Sequence, residues 1–129
     1  MYLYSRIVLT VAAICIVLGG LHDVFTPRLP SNLAAKCSGN VVASMVMREL
    51  LRALGGCLVA IGAAVAAVAT SVELAHDRRA IALILVLVLP SEGLNAFGMR
   101  RVGSPYVIPL LFILLTLAGA GLALFAPTV

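Results

Sequence analysis

Arg48-Glu49-Leu50-Leu51-Arg52 runs directly into Ala53–Thr70, eighteen residues without a charge. An apolar run of that length crosses a bilayer, so the charges at its head stand at or just inside the membrane boundary. Polar groups interrupt two other apolar stretches: His22-Asp23 closes one, and Ser91-Glu92 with Asn95 breaks another. Three kinds of chemistry follow from these types. A polar pocket would hold a small amphipathic ligand, a membrane-embedded glutamate would couple protons, and His22, Glu49 and Glu92 would supply acid and base for work on a lipid or quinone.

The elements that must position these residues are membrane spans. Of 129 residues, 63% are hydrophobic and 11% charged, and the mean hydropathy is +1.18. A soluble chain carries roughly 25% charged residues, and one this small could not bury so much apolar surface. The reading is an all-α, polytopic four-transmembrane-helix bundle forming one domain over residues 1–129. The net charge of +4 comes from arginines between apolar runs, which excludes a nucleic-acid patch. Cys15, Cys37 and Cys57 show no Cys-x-x-Cys and no metal-ligand spacing, so no disulfide, metal or cofactor is expected.

The spans are expected at about 6–22, 41–70, 79–97 and 105–126. The first begins behind Tyr2, Tyr4 and Arg6. It lacks a good cleavage site and is expected to remain as a helix. Residues 23–40 form the longest connection. Pro27-Arg28-Leu29-Pro30 reads as extended chain, and Ser38 or Asn40 as N-cap of the second span. Such a loop is either a lid or slack. At 100° per residue the second span gathers Arg48, Arg52, Gly55, Val59, Gly62, Ala63, Ala66 and Thr70 on one stripe, against Val46, Leu50, Leu54, Cys57, Ile61, Val65 and Val68 on the other. Small residues pack helices together in lipid, so the first stripe should face the bundle and carry both arginines inward. Ser71–Arg79 reads as a solvated turn, with Asp77 as N-cap. In the third span Pro90 should kink the helix, and Glu92 lies two turns before an end at Gly98. Ser104-Pro105 reads as N-cap and first residue of the fourth span, which Pro127 closes.

Alternating spans bring the end of the first, the start of the second, the end of the third and the start of the fourth to one membrane face. His22, Asp23, Arg48, Glu49, Arg52, Ser91, Glu92, Asn95, Arg100 and Arg101 all fall there. Arg52 opposite Glu92 is the expected deep pair, because the planar guanidinium bonds both carboxylate oxygens. The same set could instead be glue between helices. The positive-inside rule would put this richer side in the cytoplasm and both termini outside. Burying Arg48 and Arg52 reduces the margin to four cations against three plus the amino terminus, and the count then decides nothing.

Leu18-Gly19-Gly20-Leu21 at the end of the first span, Arg52-Ala53-Leu54-Gly55-Gly56 in the second and the arginine-bearing Gly98–Pro105 turn resemble the DoxX-like group of small four-helix bacterial membrane proteins. The resemblance implies the fold, a multi-pass place in the inner membrane and a redox or quinone-linked accessory role; it carries over no catalytic residue. The candidate ligand-binding residues are His22, Asp23, Arg48, Glu49, Arg52, Glu92 and Asn95. The expected partners are the lipid bilayer and either a lipid-like ligand or a partner membrane subunit, a second copy of the chain among them. A small proton-coupled transporter is the alternative, although the first span has no carboxylate before Asp23. A lipid or quinone enzyme is the third reading.

Overall fold

Four long apolar segments become four long helices. The computed structural model describes residues 2–26 and 28–125. Its elements are α1 (Tyr2–Phe25), α2 (Ser31–Lys36), α3 (Val41–Thr70), α4 (Val72–His76), α5 (Arg78–Val102) and α6 (Val107–Leu124). Among the described residues there is no strand. α1, α3, α5 and α6 are each long and apolar enough to cross a membrane, which makes this a multi-pass helical membrane protein. Large apolar side chains such as Ile14, Leu54, Val86 and Leu114 stand exposed around the bundle, as contact with lipid requires.

Asn40 caps α3 by accepting from the Ala43 amide, and Asp77 caps α5 by accepting from the Arg79 amide. Several expected boundaries move. α1 begins at Tyr2 and runs to Phe25, so the tyrosines and Arg6 belong to the helix. α5 does not stop at Gly98. It continues to Val102 and ends where Gly103 adopts φ 74°. There the Gly103 amide donates to the Arg100 carbonyl and the Ser104 amide to the Met99 carbonyl, the Schellman arrangement that glycine favours. Pro90 lacks the N–H that would bond the Val86 carbonyl, yet the helix runs through it unbroken. Ser104 is not the cap of the last span; Tyr106 precedes α6, which starts at Val107 without a side-chain cap. Pro27 and Pro127 lie outside the described residues.

The two polar connections are not bare turns. Residues 31–36 form α2, and Ser71 caps the one-turn α4 by accepting from the Leu74 amide. Tyr2 stacks on His76 at 3.8 Å between ring centroids and donates to the Val72 carbonyl. Arg6 donates to the carbonyls of Ala69 and Thr70 at 2.9 and 2.8 Å. These are carbonyls that the end of α3 leaves without helical partners, and a cation suits them.

α1 packs most extensively on α3 and next on α6, which in turn carries α5. Glycines set the α1–α3 distance. A Cβ on Gly62 would stand 2.6 Å from Val17 Cγ2, so the two helices come closer than bulky residues permit. On the α6 side Ser5 donates to the Gly119 carbonyl at 2.8 Å, and Leu9 lies over Gly119. The core joins Leu9, Ile16, Leu58, Val65, Val68, Ile81, Ile84, Val88 and Phe112. α3 follows the expected stripe only in part. Gly55 and Gly62 are buried while Val46, Leu50, Leu54 and Cys57 are exposed, but Val65 and Val68 are buried and Ala63 and Thr70 exposed. Toward its end α3 also meets α4 and α5, and the buried face turns toward them.

Candidate binding cavity

α3 and α5 touch each other only sparsely, and the first half of α3 and the second half of α5 flank a partly open cavity of about 550 Å³, with Leu54, Cys57, Leu94 and Gly98 of its lining exposed. Met47, Leu51, Leu54 and Leu58 line one wall at three- and four-residue steps, and Ser91, Leu94, Asn95, Gly98 and Val102 line the other. This is the spacing of a single helical face. The chain after α1 covers the opening: Arg28, Leu29, Pro30 and Leu33 all contribute to the lining. Asn32 fastens that segment by donating to the Gly103 carbonyl at 2.8 Å, and Leu33 and Cys37 are buried beneath it. Of the two roles open to this connection, covering something is the one its position supports.

Four of the seven candidate residues line the cavity: His22, Asp23, Arg48 and Asn95. His22 Nδ1 and Asp23 Oδ1 lie 3.4 Å apart at the end of α1. Arg48 is half-buried, and its Nε is closed to solvent with no hydrogen-bond partner.

Glu49, Arg52 and Glu92 lie elsewhere. The expected Arg52–Glu92 pair does not form. Arg52 Nη1 donates to Glu49 Oε1 at 2.9 Å, one helical turn away on α3, and the two side chains are 44% and 62% exposed. Arg52 therefore does not turn inward as Arg48 does. Three residues separate it from Glu49, which is the spacing that lets neighbours on one helix meet, whereas Glu92 is fully buried on α5, which α3 touches only sparsely. Glu92 is 0% exposed and sits on the stripe that α5 buries, with Ile84, Val88 and Ala96. Asn95 donates to its Oε2 at 3.4 Å, and Oε1 has no partner. His22, Glu49 and Glu92, the expected acid–base set, are not brought together: His22 is at the cavity, Glu49 outside it and Glu92 behind its wall.

The sequence pattern missed the lid residues Arg28, Leu29 and Leu33. The signal was present in Pro30 and in the apolar Leu29 and Leu33 within a polar connection, since an exposed linker has no need of them. Among the described residues no cluster of three metal-binding side chains occurs. The chain matches no protein-family model, no curated protein and no solved structure.

Proposed function

We propose that this protein holds a small lipid-like or amphipathic ligand in the cavity between α3 and α5. The supporting observation is the cavity itself: about 550 Å³ falls within the 300–1,000 Å³ typical of small-molecule sites. Its walls are mainly aliphatic, with a few polar groups and a hydrogen-bonded cover. The resemblance to the DoxX-like group gives the setting, a bacterial inner membrane, and would make the ligand part of a redox-linked accessory role.

Leu51 and Cys57 line the cavity without belonging to the buried core, so a tryptophan at either position fills the space and leaves the core intact. The purified protein should carry a lipid-like molecule, detected by native mass spectrometry, that Leu51→Trp and Cys57→Trp both lose. Identical retention in folded tryptophan variants would overturn the reading.

Glu92 gives the transporter reading its specific support: a fully buried carboxylate with one free oxygen in a membrane span is a candidate proton carrier. In that case Glu92→Gln abolishes proton-coupled movement of a substrate across proteoliposomes while the fold survives.

A further inference from the structure

The cations of this chain differ in what they meet. Arg6 bonds the carbonyls at the end of α3, Arg52 bonds Glu49, and Arg101 lies 4.6 Å from the centre of the Phe97 ring. Arg28, Lys36, Arg78, Arg79 and Arg100 are exposed, where water satisfies them. Arg48 has neither arrangement. It is half-buried on the cavity wall, its Nε is shut off from solvent, and among the described residues no hydrogen bond or carboxylate within 4 Å satisfies it. A guanidinium Nε shut off from solvent without an acceptor is costly, and the Nη groups beside it, which stay accessible, leave room for an anion to bridge the fork.

The protein's own acids are not placed to do so. Asp23 lines the cavity but stands beside His22 and not within 4 Å of Arg48, Glu49 is beside Arg52 on the outer surface, and Glu92 does not line the cavity. We infer that the ligand is an anionic amphiphile whose carboxylate or phosphate oxygens bond the Arg48 guanidinium, with Arg28 of the covering segment as the second cation. This rests on the ligand-binding function proposed above and names the chemistry of the ligand's head.

Depth agrees with the assignment. α3 has thirty residues and is about 45 Å long at 1.5 Å per residue, against a hydrocarbon layer of about 30 Å. Its first turns therefore rise into the headgroup region, and Arg48 lies about 10 Å from its start. From Arg48 the cavity wall descends past Leu51 and Leu54 to Leu58, about 15 Å further along the helix axis. A head at Arg48 thus places its tail beside aliphatic side chains within one leaflet. Farther along, Ser91 and Asn95 of α5 are neutral, and the Asp23 carboxylate, which also lines the cavity near Gly55, has His22 beside it at 3.4 Å, so the end carrying Arg48 and Arg28 is the cationic one and the headgroup end. Arginine presents a planar fork that matches both oxygens of a carboxylate or two of a phosphate.

The test uses the full chain in a neutral detergent, with two probes that share one fluorophore and one chain: a labelled stearate and its methyl ester. The stearate should bind about tenfold or more tightly than the ester, as a charge-assisted hydrogen bond implies. Arg48→Gln should reduce stearate to the affinity of the ester and leave ester binding unchanged. Arg48→Lys should restore part of the preference, and Arg28→Gln should lose a smaller part. Competition by dodecyl phosphate alone identifies a single-chain ligand, and added competition by phosphatidylglycerol identifies a membrane lipid; both support the assignment. Inorganic phosphate competing as well as dodecyl phosphate would overturn it, as would equal binding of acid and ester or a preference unchanged in Arg48→Gln. If neither probe binds the folded protein, the cavity function itself falls; if Leu51→Trp abolishes both while acid and ester bind alike, only the anionic head is refuted.

Discussion

Gly20 of α1 and Gly55 of α3 meet backbone to backbone: a Cβ on either glycine would stand 2.6 Å from the carbonyl oxygen of the other. No side chain fits there without moving a helix. Close approach of this kind associates helices in lipid, where burial of apolar bulk adds little. Gly55→Val should therefore destabilise the protein by about 1–3 kcal/mol, the usual cost of overpacking. Gly56 next to it faces open space, and Gly56→Ala should be neutral or slightly stabilising through helix propensity. Thermal unfolding of both variants in one detergent checks the contrast.

Arg6 ties the start of α1 to the end of α3. Arg6→Met removes both hydrogen bonds to the Ala69 and Thr70 carbonyls and should cost about 1–3 kcal/mol, the range for losing bonds to a charged group. Arg78 is exposed, and Arg78→Met should stay within about 0.5 kcal/mol of the parent. Equal effects at the two positions would show that the bonds of Arg6 contribute nothing.

Arg52 and Glu92 should be energetically independent. A double-mutant cycle with Arg52→Gln and Glu92→Gln should give a coupling near zero, because residues without shared partners add within about 0.5 kcal/mol. The cycle between Arg52 and Glu49 should give no more than about 0.3–0.5 kcal/mol, as exposed pairs on one helix do. A coupling above about 1 kcal/mol between Arg52 and Glu92 would contradict the geometry.

The cover over the cavity can be followed through Ser91→Cys, because Ser91 lines the cavity and is half-buried, in a Cys15→Ala, Cys37→Ala, Cys57→Ala background. Asn32→Ala removes the bond to the Gly103 carbonyl. It should speed the reaction of the introduced thiol with a membrane-permeant maleimide several-fold and change stability by less than about 1 kcal/mol. Laurate in the cavity should slow the same reaction.

The four spans were legible because their apolar length is a property of composition, and two caps were legible because Asn40 and Asp77 offer side-chain acceptors at the right positions. The end of α5 was misread because two glycines, Gly98 and Gly103, present the same stop signal. Only the second takes the left-handed conformation that ends a helix. Membrane-face polarity groups His22, Asp23, Arg48 and Asn95, and all four line the cavity. It failed for Arg52 because adjacency was taken from the order of the spans. Sequence order does not show that α3 packs mainly on α1 and α5 mainly on α6, which leaves α3 and α5 in sparse contact. The turn of Glu49 toward Arg52 was a one-helix contact that a search for pairs between helices overlooks.

The extensive packing of α3 on α1 also bears on how the chain assembles. During synthesis α3 meets its main partner as soon as it enters the bilayer, since α1 is already there. α5 arrives with little to hold it, because its main neighbour α6 is made last. Until then the stripe carrying Glu92 lacks its cover, and a nascent chain paused before α6 would present an acidic side chain to lipid.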